Sequence, residues 1–158
     1  MTLSHKGGRR LLALGLGAAM VAGVGGIGAP ANAASTGEIR LAAGCTGTND
    51  TDVPIPDAGA AVSSSISIAG CGRAASSTSA LALKIVHTYR GDLVVTLVAP
   101  DGSAYPLKGS SEVDSGDDLE IRGEIDLSGE AADGTWQLRV QDVYTGDTGY
   151  IDTFSLTI

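Results

Sequence analysis

The sequence predicts an all-β protein, an antiparallel β-sandwich. Three observations carry that prediction. Apolar residues recur at every second position in several short runs, and the runs are separated by Gly, Asp and Pro turns. No segment beyond residue 33 shows the 3.6-residue apolar spacing of an amphipathic helix. Many short strands at regular spacing are what two packed antiparallel sheets require.

The first 33 residues stand outside that pattern. Lys6, Arg9 and Arg10 precede an apolar Gly/Ala-rich run from Leu11 to Gly28, and Ala31-Asn32-Ala33 supplies the small-x-small site at which a signal peptidase cuts. Residues 1–33 are read as a secretory signal peptide of bacterial type. The glycines and the adjoining cleavage site argue against a retained membrane anchor. The expected product is secreted and extracellular, with no membrane segment once the signal is removed. It comprises residues 34–158, with seven basic and 18 acidic residues and a net charge of −11. Such a surface disfavours nucleic acid, whose binding depends on Lys and Arg neutralising phosphates. It leaves carboxylates available to a cation.

Residues 34–49 are small and weakly patterned and are read as a leader. Cys45 and Cys71 are the only cysteines. Outside the cytoplasm they are expected to form a disulfide across a loop of about 26 residues, worth about 3 kcal/mol by loop entropy. There is no CxxC pair and no second histidine beyond residue 33 to complete a zinc set. In TDVPIPDAG (51–59) two prolines flank Ile55, which marks an extended edge segment followed by a turn.

Val62 to Ile68 alternates weakly. Leu81, Leu83, Ile85, His87 and Tyr89 share one face. Leu93, Val95 and Leu97 alternate with Val94, Thr96 and Val98, so this run is apolar on both sides and reads as a central strand. Residues 87–103 read as parts of two adjacent strands, with Gly91-Asp92 shaping the corner between them. Pro100-Asp101-Gly102 is a turn, with Tyr105 and Leu107 beginning the return strand. Leu119, Ile121, Ile125 and Leu127, then Trp136, Leu138 and Val140, then Phe154, Leu156 and Ile158 complete the alternation.

Five ordered motifs resemble the P domain, or Homo B domain, of kexin- and furin-like proprotein convertases. They are HTYRGDL (87–93), VAPDG (98–102), DSGDDL (114–119), SGEAADGTWQLRVQD (128–142) and GDTGYIDTFSL (146–156), and TDVPIPD (51–57) is similar to the entry of bacterial versions. The resemblance covers residues 50–158. It implies a jelly roll of eight or nine strands that normally follows a subtilisin-like serine protease domain and stabilises it. No protease domain is seen in this sequence. The expected role is that of a stand-alone, non-catalytic module whose partner is a separate secreted subtilisin-like protease or another extracellular protein. A split or truncated part of a serine endopeptidase, and a carbohydrate- or surface-binding module, are the alternatives.

The residue chemistry agrees with a non-catalytic role. A hydrolase needs a nucleophile, a base and an orienting group. His87 falls on the face of Leu83 and Ile85 and is expected to pack inward, and no G-x-S-x-G elbow is present. Arg90-Gly91-Asp92 is read as a strand-start corner and not as an adhesion tripeptide. Trp136 is expected in the core. The acidic loops are the remaining candidate chemistry. Asp114, Asp117 and Asp118 share one loop, Asp142 and Asp147 lie in or beside another, and Asp92 is in a third. Asp92, Asp117, Asp142 and Asp147 are the candidate ligands for Ca²⁺, a hard cation that takes six to eight oxygens. A 0.1 mM site at 1 mM calcium would add about 1.4 kcal/mol.

Overall fold

The computed structural model describes residues 45–158. The signal peptide expected over 1–33, and residues 34–44 of the expected leader, lie outside the described residues. Nine strands form two antiparallel sheets: β1 (Thr46–Asn49), β2 (Val53–Ile55), β3 (Val62–Ile68), β4 (Ser79–His87), β5 (Leu93–Val98), β6 (Ala104–Lys108), β7 (Leu119–Ile125), β8 (Gly134–Asp142) and β9 (Gly149–Thr157). One sheet has the order β1-β9-β4-β7, with β2 also on β9, and the other has the order β3-β8-β5-β6. These interleaved orders are those of a jelly roll. Among the described residues the only helical element is a single 3-10 turn, Arg90–Asp92.

The period-two runs form the strands because each places its apolar set between the sheets. Leu81, Leu83 and Ile85 of β4 and Ile151, Phe154 and Leu156 of β9 line one inner face. Ile66 and Ile68 of β3, Leu93, Val95 and Leu97 of β5, and Trp136, Leu138 and Val140 of β8 line the other. Trp136 is fully buried and donates its indole N–H to Ala132 O at 3.2 Å, so it is a core residue and no platform for a sugar. As expected, β5 is internal, between β8 and β6, and Pro54 sits in an edge strand. Ser64 Oγ, buried in β3, has no hydrogen-bond partner among the described residues.

Two expectations need correction. Residues 46–49, read as the end of a leader, form β1 and pair with Asn49↔Phe154 through Thr46↔Thr157. Alternation over four small polar residues is too weak a signal. Pairing to β9 and the neighbouring Cys45–Cys71 bond place this segment. Secondly, β4 and β5 are not neighbours within a sheet. They belong to opposite sheets, and the Arg90–Asp92 turn carries the chain across the sandwich. The corner itself is as expected. Gly91 is required there, because a Cβ would lie 2.4 Å from Ser111 O and 2.6 Å from Asp114 O, both backbone atoms.

The disulfide forms as predicted, between Cys45 and Cys71 with Cα atoms 5.9 Å apart. Asp133 secures its far side by accepting hydrogen bonds from Cys71 N (2.8 Å) and Gly72 N (3.0 Å). Those amides hold the Asp133 carboxyl below the usual aspartate pKa, as expected for a hydrogen-bonded carboxylate. Ile158 N donates to Cys45 O at 2.8 Å, which ties the last residue to the first described one.

Candidate functional site

One end of the sandwich gathers the acidic loops. The β4–β5 corner, the 109–118 loop and the 143–148 loop meet there, joined by the β2–β3 turn. Backbone bonds stitch them together: Arg90 N to Gly116 O (2.8 Å), Ser111 N to Gly91 O (2.7 Å) and Val143 N to Asp92 O (3.1 Å). Side-chain carboxylates add to this. Asp118 Oδ1 accepts from His87 N at 3.0 Å, and Asp118 N returns a bond to His87 O at 2.9 Å. Asp118 adopts φ 45°, the left-handed region that Asp tolerates better than most residues. Thr88 Oγ1 donates to Asp147 Oδ1 at 2.7 Å, and Asp57 accepts from Gly146 N at 3.0 Å.

At the centre lies a pair. His87 ends β4 and Asp142 ends β8, each pointing inward by the alternation of its strand. His87 Nε2 donates to Asp142 Oδ2 at 3.2 Å, and both side chains are 0% exposed. Nδ1 faces the Tyr89 backbone, with Tyr89 O at 2.9 Å and Tyr89 N at 3.2 Å. The other oxygen of Asp142 accepts from Tyr144 N at 3.1 Å. Gly149 leaves room for the imidazole, since a Cβ there would meet Val86 O at 2.1 Å and His87 Cδ2 at 2.5 Å. The ring nitrogens face protein groups, and solvent reaches neither side chain.

Outside this pair lies an open pocket of about 220 Å³ lined by Tyr89, Asp92, Glu112, Tyr144, Thr145 and Asp147. Asp92 is 5% exposed, and among the described residues no hydrogen bond or salt bridge reaches its carboxylate. Burial raises its pKa, and the charges of Asp142 and Asp147 raise it further against an opposing contribution from His87. Tyr89 is fixed by its hydroxyl, which donates to Glu112 O at 2.7 Å. The large hydrophobic residues standing most exposed, Val113 (91%), Tyr144 (40%) and Val143 (36%), all belong to the loops at this end.

The four expected calcium ligands fare differently. Asp92 and Asp147 border the pocket, Asp142 is sealed behind it against His87, and Asp117 stands exposed in the 109–118 loop. Asp114 pairs with Arg90 Nε at 2.8 Å and lies 4.0 Å from Lys108 Nζ. Among the described residues no three His, Cys, Asp or Glu side chains are arranged to hold a metal ion. Sequence reasoning passed over Tyr89, Glu112, Tyr144 and Thr145. The available signal was an aromatic residue stranded in a Thr/Gly/Asp loop, YTGDTG (144–149), with no strand alternation to bury it.

Comparison with known proteins decides the family. Residues 76–158 match the proprotein convertase P-domain. The chain belongs to this family. Among curated relatives, the transglutaminase-activating metalloprotease of Streptomyces mobaraensis is 51% identical over 75 residues, which cover 48% of this chain and 10% of that protein. Leupeptin-inactivating enzyme 1 of Streptomyces exfoliatus is 49% identical over 75 residues, covering 48% of this chain and 17% of that protein. The extracellular basic protease of Dichelobacter nodosus is 36% identical over 77 residues, 49% of this chain and 12% of the relative. The match therefore spans only a small fraction of these longer proteins. In structure, this P domain resembles part of the Aeromonas sobria serine protease seen in complex with its chaperone, with a TM-score of 0.52 and 19% identity over 70% of this chain and 26% of that one. P domains are normally non-catalytic parts of proteases. Among the described residues no helix is long and apolar enough to cross a membrane.

Proposed function

We propose that this P domain is a secreted, non-catalytic module that binds and stabilises an extracellular protease, and that it does so through the loop end carrying Asp92, Val113, Val143 and Tyr144. The observation that carries this reading is the collection of exposed large apolar side chains at one end, beside a pocket lined by the Asp92 carboxylate, which has no hydrogen-bond or salt-bridge partner among the described residues. Exposed apolar surface rimmed by polar groups is typical of protein interaction sites. The comparisons support a role independent of catalytic class, since one relative is a metalloprotease while the matching domain family is that of proprotein convertases. A domain that travels with different chemistries contributes something other than the chemistry.

The non-catalytic part of the proposal rests on His87. A general base must reach a substrate proton within hydrogen-bonding distance. Here Nε2 is held by Asp142, Nδ1 faces the Tyr89 backbone, and the side chain is fully buried. The partner in view is a subtilisin-like or metal-dependent secreted protease domain.

The test is to mix the purified P domain with such a protease domain lacking its own P domain. The expected result is co-elution and a longer half-life of protease activity on heating. The P domain alone is expected to leave peptide and ester substrates intact. Hydrolysis by the P domain that disappears in a folded His87→Gln variant would overturn the reading.

A further inference from the structure

The pocket at this end has a chemistry narrower than "protein-binding". Its lining includes Asp92, a residue only 5% exposed whose carboxylate opens onto the pocket and meets no hydrogen-bond or salt-bridge partner among the described residues, and its rim includes Glu112 and Asp147. Two tyrosines complete the wall, Tyr89 held by its hydroxyl and Tyr144 with its hydroxyl 3.5 Å from Glu112 Oε1. The nearby cations are already engaged: Arg90 Nε pairs with Asp114 at 2.8 Å, and Lys108 Nζ donates to Leu93 O and Gly109 O. A largely buried carboxylate that opens only onto this pocket and is flanked by further acids favours a cation entering from solvent.

The kind of cation follows from the walls. A hard metal ion needs six to eight oxygens converging at about 2.3–2.6 Å, whereas no three acidic side chains here are arranged around one point. A guanidinium group suits the pocket better. It is planar, weakly hydrated, stacks on aromatic rings and donates in a fork that fits a carboxylate. A pocket of about 220 Å³ has room for it with part of its methylene stem. Residues flanking such an arginine in a protein would meet the exposed Val113, Val143 and Tyr144.

We infer that this pocket is the docking site for an arginine side chain presented by the extracellular partner protein, with Asp92 as its carboxylate anchor and Tyr89 and Tyr144 as its walls. This inference rests on the partner-binding reading above and names the chemistry of the contact. It also gives the strongly acidic surface a use. A field of this sign steers a basic partner towards the site and makes association fall with salt.

The experiment is an NMR titration of the ¹⁵N-labelled protein with acetyl-Gly-Arg-Gly-amide. The matched citrulline and lysine peptides and calcium chloride are titrated in parallel. The arginine peptide is expected to shift the amides of Asp92, Tyr144, Thr145 and Asp147 with an affinity in the millimolar range. The citrulline peptide should bind at least about tenfold more weakly, the loss expected of one charge-assisted contact. Asp92→Asn, nearly the same shape, should reduce arginine binding by a similar factor with the rest of the spectrum unchanged. Thr145→Lys, which places a cation at the mouth, should do the same.

Equal binding of arginine and citrulline peptides would overturn the inference. So would equal binding of the lysine peptide, the absence of any shift at tens of millimolar, or calcium saturating the same amides and displacing the peptide. The stabilisation assay separates the two proposals. Stabilisation that survives Asp92→Asn removes the arginine pocket and keeps the partner. Loss of stabilisation in the unmodified protein removes the partner reading, whatever the peptide does.

Discussion

Asp142→Ala is the most informative single change. It deletes the acceptor of a buried donor, His87 Nε2–H at 3.2 Å, and of a part-buried one, Tyr144 N–H at 3.1 Å, and leaves a void between the ends of β4 and β8. Removing one partner of a buried, charge-assisted contact costs about 3–5 kcal/mol, because the survivor stays dry and unpaired. The fold has a convenient reporter. Trp136 is the only tryptophan and is 0% exposed, so its emission follows unfolding of the core. Urea unfolding should show a lower midpoint at unchanged slope, and the melting temperature should fall by more than about 10 °C. A control separates packing from polarity. The double variant His87→Phe, Asp142→Leu removes both polar groups together and should recover much of the loss, as replacement of whole buried pairs often does. If Asp142→Ala costs less than about 1 kcal/mol, the pair does not hold the fold. A pair free of structural duty would again be a candidate for chemistry, and the argument against catalysis would fail with it.

Other outcomes follow from the same geometry. Asp92→Asn should raise the melting temperature at pH 7 and leave it unchanged near pH 3. The folded pKa of Asp92 is raised above 3.8, so ionisation costs stability as pH rises through that window and costs nothing below it; calorimetry at the two pH values decides. Asp133 has the opposite sign. Its pKa is lowered by the Cys71 and Gly72 amides, so its contribution is present above pH 3.8 and disappears as pH falls through the folded value. Asp133→Asn should therefore lower the melting temperature at pH 7 and lose its effect in acid. Reduction of Cys45–Cys71 should cost about 3 kcal/mol, measured by urea unfolding with and without reductant. Gly91→Ala should cost about 1–3 kcal/mol and shift amide resonances across 109–118, because the new methyl meets backbone carbonyls that cannot rotate away.

The strands were legible wherever burial is one-sided. Leu81-Leu83-Ile85 and Trp136-Leu138-Val140 alternate because one face of each strand meets the opposite sheet, and the sequence carries that constraint directly. Sheet membership was less visible. Residues 87–103 read as neighbouring strands because a short turn usually joins a hairpin. Here the 3-10 turn crosses between sheets, which is set by contacts with 111–116 that local sequence does not announce. β1 was missed for a related reason. Thr46 to Asn49 carries no apolar face, and its place comes from β9 on one side and a covalent bond at Cys45.

The carboxylates show the limit most sharply, and also why the pocket exists. Asp57, Asp92, Asp118 and Asp147 all lie next to or near a Gly in turn or loop segments and Asp142 ends a strand that runs into such a loop, so little in the local sequence tells their roles apart. In the fold, four of them accept a hydrogen bond from another loop or strand: Asp57 from Gly146 N, Asp118 from His87 N, Asp142 from His87 and Tyr144 N, and Asp147 from Thr88 Oγ1. Each ties one loop or strand to another at the sandwich end, and the fully buried donor among them, His87 Nε2–H, would be stranded without Asp142. Asp92 is the exception. Its backbone takes part, with Asp92 N donating to Tyr89 O at 3.2 Å and Asp92 O accepting from Val143 N at 3.1 Å, while its side chain has no such task. A turn that needed only the backbone at this position would be served as well by Asn or Ser. A carboxylate held there against its own desolvation and two neighbouring acids destabilises the isolated domain. Such a cost is usual at binding sites, where an unpaired group awaits a partner that is absent from the free protein.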